Sequence, residues 1–238
     1  MVRNGGRVNL GNSMGSNGVS IGLFFLTIQG AITGSPGGNW GGIHNTGTIG
    51  NVNIANGARV ERGIKNNNTM QTLLVSGNVN GGVNNSGTLT MLNLNNGGTI
   101  NGGINNNRTM GSISVSDSTV NGGINNSNAN STLNNITIET NDNVNGGIHN
   151  CSSITNNVTI KGNVTGKVTN AGTITGNVTI SDGGAIDASN ASDPQNAIDN
   201  SGTIQGKISD LYFNGGSVNN HNSGVKVAHL TMLALSQL

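Results

Sequence analysis

Four aspartates fall within one short stretch, Asp182, Asp187, Asp193 and Asp199, with Lys161, Lys167 and Lys207 in the flanking sequence. Carboxylate oxygens at this density are the ligand type taken by a hard cation such as Ca²⁺. They are weak metal candidates, because the stretch Asp187 to Ala197 (DASNASDPQNA) is equally a solvated loop of residues that close turns. The Gly-Gly-x-Gly-x-Asp calcium repeat is absent. Four histidines, His44, His149, His221 and His229, raise a second metal reading, but His221 and His229 have no third ligand of suitable type nearby. No Gly-x-Ser-x-Gly elbow and no supportable Ser-His-Asp spacing occurs. The expectation is therefore a chain with no catalytic residues, no cofactor and no metal.

Composition narrows the classes further. The 238 residues include forty Gly, with 8% charged and 2% aromatic residues and a net charge of +1. Nucleic-acid binding calls for clustered Lys and Arg and for stacking rings, and neither is present. No stretch approaches the roughly twenty apolar residues of a membrane span. Val19 to Ile28 (VSIGLFFLTI) could serve as a secretory apolar region behind Arg3 and Arg7, but a strand of an N-terminal cap suits its Gly/Asn-rich surroundings better. The one cysteine, Cys151, excludes an internal disulfide framework. Gly, Asn and Ser tracts usually stay solvated, yet here aliphatics recur at regular positions.

That recurrence is the strongest signal in the chain. Aligning on Gly-Gly-aliphatic gives Ile43, Ile64, Val83, Ile104, Ile124, Ile148, Val168, Ile198 and Val218, mostly 19 to 21 residues apart, with exceptions of 24 and 30. Two places after each stands Asn: Asn45, Asn66, Asn85, Asn106, Asn126, Asn150, Asn170, Asn200 and Asn220. Then come a Thr-aliphatic pair such as Thr88-Leu89, an alternating pair such as Ile113-Ser114-Val115, and a last aliphatic such as Val120. Cys151 falls where other repeats carry Thr, Asn, Ser or Ala, a site for any small residue.

The alternation has period two, so these segments are strands. Three short strands in about twenty residues define one coil of a parallel β-helix. One coil alone buries too few aliphatics to offset the ordering of its backbone, so stability requires stacking. The expected fold is all-β: a single-stranded, right-handed parallel β-helix of about nine coils of 19–21 residues, three strands per coil. Its divisions would be 1–42 as an N-terminal cap or degenerate first coil, 43–232 as repeats, and 233–238 as a tail or truncated coil. In this stack the Asn column forms a corner ladder, each amide bonding the one above and below. The Gly-Gly before it supplies positive φ and close backbone approach. His44 and His149 then share a column five coils apart, about 24 Å at the strand spacing, so they cannot share an ion.

GGIHNTGTIGNVNI (Gly41 to Ile54) and GKVTNAGTITGNVTI (Gly166 to Ile180) closely resemble passenger-domain repeats of bacterial autotransporters, the secreted β-helices of type V secretion. The similarity extends over about residues 41–232 and rests on structural positions. It implies export to the cell surface or release, a barrel translocator encoded elsewhere, and adhesion to host cells, other bacteria or sister rods. The sequence shows no translocator barrel of its own and no clear signal peptide, which suggests a passenger fragment. The alternatives are a carbohydrate-active β-helix, of polysaccharide lyase or tailspike type, using the 182–199 region, and an inert stalk. The Thr column also resembles the rows of β-helical ice-binding proteins, although Gly50, Gln71, Gly111 and Gln205 break its second row.

Overall fold

Period-two alternation over short, Gly-bounded segments produces strands throughout. The computed structural model describes residues 8–10, 23–32, 42–181, 183–189, 196–209 and 217–220, among which there is no helix. A typical coil runs through three strands, Ile43–Asn45, Thr48–Ile54 and Arg59–Val60. Each pairs in parallel with its counterpart one coil on, so Ile43 faces Ile64, Ile49 faces Met70 and Val60 faces Val79. The strands accumulate into three sheets, here called first, second and third in the order the chain visits them, with ten, twelve and eight strands. The fold is a parallel β-solenoid with three strands per coil.

Nine levels were expected from Ile43 onward. Seven of them carry all three strands among the described residues, ending with Val168–Asn170, Thr173–Ile174 with Val178–Ile180, and Ala185–Asp187. The level at Ile198 contributes to two sheets and the level at Val218 to one. At the other end, Val8–Leu10, Leu23–Ile28 and Ala31–Ile32 pair with the Ile43 coil and add a level below it. The stretch VSIGLFFLTI thus supplies a strand of the second sheet. The tail at 233–238, the insertion Thr33 to Asn39, and His221 and His229 lie outside the described residues.

The core is the inward column of every sheet. Ile104, Met110, Ile113, Val115 and Val120 form one complete layer, each buried, and equivalent residues lie above and below. Aliphatics stacked on their own kind at the strand spacing fill a narrow interior, with no aromatic among the described buried residues. This is how so Gly-rich a chain has a core.

The second sheet is bent. Its first five repeat strands hold seven residues with burial at the second, fifth and seventh positions, so the third and fourth both face outward. From Ser153 onward the same path divides into Ser153–Ile154 and Val158–Ile160, because one more residue separates the two buried positions. Asn157 and Asn177 close the resulting step: the Asn177 backbone N–H donates to Asn157 Oδ1 and the Lys207 N–H to Asn177 Oδ1, each at 2.8 Å.

The Gly-Gly corner behaves as its spacing predicts. Gly102 and Gly103 have φ of 104° and 76°. A Cβ on Gly103 would sit 2.5 Å from the Gly122 carbonyl oxygen of the next coil. Only glycine tolerates both the left-handed backbone and that approach.

Candidate functional site

The corner after each first-sheet strand holds the Asn column. In that strand the outer two residues of a buried-outward-buried triplet point inward, which carries Asn106 into the interior beside Ile104. Side-chain Nδ2 donates to Oδ1 of the next Asn from Asn45 through Asn66, Asn85, Asn106, Asn126, Asn150 and Asn170 to Asn200, at 2.7–2.9 Å throughout. All eight are at most 1% exposed. Asn220 continues the register opposite Asn200. The second Nδ2 hydrogen donates to the carbonyl of the Thr column one coil on, as from Asn66 to Thr88 O at 2.9 Å and from Asn85 to Thr109 O at 2.7 Å. Each amide therefore ties a side-chain ladder to the backbone of the neighbouring coil. The column is structural, and its burial withholds it from any ligand.

Two further amide ladders run on the outside. Asn145, Asn121, Asn101 and Asn80 donate in sequence toward the N-terminal end at 2.7–2.8 Å, and Asn80 donates to Glu61 Oε2 at 2.9 Å. Glu61 in turn pairs with Arg59. Asn125, Asn105 and Asn84 form a shorter ladder in the same direction. Donors in the buried ladder point the opposite way. The sequence carried the signal for the longer ladder, since Asn precedes Gly-Gly at Asn80, Asn101, Asn121 and Asn145; alignment on the aliphatic alone passed over it.

The acidic stretch divides between faces. Asp187 lies on the third sheet and Asp199 on the first. Asp187 Oδ1 accepts the Ser189 N–H at 3.0 Å, and hydrogen bonds from the Ser189 side chain and backbone hold its carboxyl below the usual carboxylate value. That is turn chemistry. Asp182 and Asp193 lie outside the described residues. No group of three or more His, Cys, Asp or Glu among the described residues is arranged to hold a metal ion.

His44 and His149 occupy one outward column of the first sheet, separated by Lys65, Asn84, Asn105 and Asn125. Asn67 Nδ2 lies 3.0 Å from His44 Nε2, and burial, then the Lys65 charge, hold His44 below the ordinary imidazole value. His149 Nε2 faces the Gly146 carbonyl at 3.0 Å, which can only accept. Its Nδ1 lies 2.8 Å from the Thr169 hydroxyl. Cys151 is exposed and free.

One buried acid escaped the sequence reading. Asp142 is 0% exposed at the corner between the second and third sheets, where Gly77, Gly98, Gly162 and Gly184 stand in other coils. Its Oδ1 accepts the Ser118 N–H at 2.6 Å, while Oδ2 and the Ser118 hydroxyl have no partner. Burial pushes the Asp142 carboxyl up, the Ser118 N–H opposes this, and the Asp117 charge adds to it.

Comparison with known protein families, curated proteins and solved structures finds no match to this chain. No helix among the described residues is long and apolar enough to cross a membrane.

Proposed function

We propose that the chain is a non-enzymatic passenger rod of the autotransporter type, displayed on or released from a bacterial surface, whose outer faces make adhesive contacts with host cells, other bacteria or sister rods. One observation carries the reading. The repeated residues are spent largely inward, on aliphatic columns and the buried Asn ladder, while the two outward columns through the middle of the second sheet vary from coil to coil. A scaffold of this kind holds its interior constant and presents long, rigid, independently variable surfaces. The autotransporter assignment rests on the repeat phrases at Gly41 to Ile54 and Gly166 to Ile180. Export and a separate barrel translocator follow from that assignment.

The test is a solid-phase assay with the purified chain against bacterial cells, epithelial cells, matrix proteins and the chain itself. Saturable binding to at least one is expected. Absence of binding to all of them, with circular dichroism confirming the folded state, contradicts adhesion. Labelling of intact producer cells with antibody to the chain tests localisation; signal only after lysis contradicts surface display.

A further inference from the structure

We infer that the outer face of the second sheet is a docking strip for a neutral polysaccharide chain; the inference rests on the adhesive reading and names its face and ligand class. Among the described strands of that sheet, none contains Asp, Glu, Lys, Arg or His. Lys65 and Asp199 lie on the first sheet and Arg59 and Asp187 on the third, while Lys207 stands in the bend between Thr203–Ile204 and Ile208–Ser209 at the C-terminal end of the second sheet and Arg108 borders its strand Thr109–Val115.

What the strip offers is hydroxyl and amide. One outward column runs Asn53, Leu74, Asn93, Ser114 and Thr137, then on in register to Thr159 and Thr179. The parallel column holds Asn51, Thr72, Met91, Ser112 and Asn135. Hydroxyls and amides both donate and accept, as sugar hydroxyls do, and the array repeats at the strand spacing of about 4.8 Å along the axis. A repeating polymer can engage such an array at several coils at once, adding weak contacts into useful avidity.

Charge selects among polymers. An acidic polysaccharide or a nucleic acid finds no counter-charge within these strands. A second protein is disfavoured too, because protein interfaces centre on a desolvated aromatic or apolar cluster. Phe25 at 73% and Met91 at 40% are the exposed large hydrophobics among the described residues. They share one column but stand three coils apart. Isolated apolar surfaces amid hydroxyls suit the apolar face of a sugar ring.

The experiment is retention of the full chain on insoluble β-glucan, amylose and galactomannan, with polygalacturonate as the acidic comparison. Asn93→Lys places a charge on the strip, and Lys65→Gln changes the first sheet as a control; urea midpoints verify that both variants fold. Expected are retention on at least one neutral polysaccharide that survives high salt, a loss of about tenfold or more in affinity for Asn93→Lys, and no change for Lys65→Gln. Failure to bind any neutral polysaccharide, or wild-type binding by Asn93→Lys, overturns the inference. Dimers that Asn93→Lys abolishes, with no polysaccharide bound, overturn it as well and give the face to a second copy. A chain that binds cells but no neutral polysaccharide overturns this inference alone; one that binds neither removes the adhesive reading too.

Discussion

Asn106 carries three consequences in one side chain. Changing it to Ala removes the acceptor of Asn85 Nδ2 and the donor to both Asn126 Oδ1 and the Thr132 carbonyl. Each buried group left unpaired costs about 1–3 kcal/mol, so Asn106→Ala is expected to lose about 3–5 kcal/mol in urea unfolding. A half-buried outward amide such as Asn84, which accepts from Asn105 Nδ2, is expected to lose far less. Asp142 gives the pH dependence. Its folded-state value lies above 3.8, so the folded chain holds the proton more tightly than the unfolded one. The contribution of this residue to stability is therefore most favourable below the unfolded value and falls as pH rises through the folded value. Groups facing it are the Ser118 N–H, Asp117 and Glu139, the last paired with Lys161 at 3.3 Å. Asp142→Asn keeps an acceptor for Ser118 N–H and removes the charge. It is expected to raise the urea midpoint at pH 7 and leave it nearly unchanged at pH 3.5; a lower midpoint at pH 7 contradicts this.

At the scale of elements, the Gly-Gly corner is the part least able to change. Gly103→Ala forces a left-handed backbone on a residue with Cβ and drives that Cβ against Gly122 O. The strained conformation alone costs about 1–3 kcal/mol, so the midpoint is expected to fall by at least that much. Gly97→Ala, also at positive φ but with open space around it, isolates the conformational part. Strands and corners were legible because the aliphatic, Asn and Gly columns each repeat without reference to anything distant. The step in the second sheet was equally written, as an interval of four positions from Thr132 to Ile136 and of five from Ser153 to Val158, but is invisible until the two kinds of coil are laid over each other. Other features had no local signal. That the second Asn hydrogen reaches the Thr carbonyl of the next coil depends on the stagger between sheets. That Ser118 and Asp142 stand where other coils carry glycine follows no repeat, although Asp117 and Asn141 before them take positive φ as Gly97 and Gly183 do before their glycines. The candidate acids were misleading for the same reason: Asp187 and Asp199 are close in sequence but lie on two different sheets.

The whole molecule is a rod whose coils depend on neighbours. Ten strands in the first sheet, with nine spacings of about 4.8 Å, give an axis about 43 Å long, a dimension that small-angle scattering can read. Unfolding is expected to proceed coil by coil from the ends, so probes at different levels will not share one transition. Adhesion and the neutral strip both presuppose this register, since only stacked coils align outward columns into continuous faces. Hydrogen exchange of the Asn side-chain amides, followed residue by residue by NMR, tests that stacking most directly. Strong protection is expected for the Nδ2 protons of Asn66, Asn85, Asn106 and Asn126, and rapid exchange for an exposed amide such as Asn96. Exchange of the four column amides at the rate of a free amide would contradict the stacking.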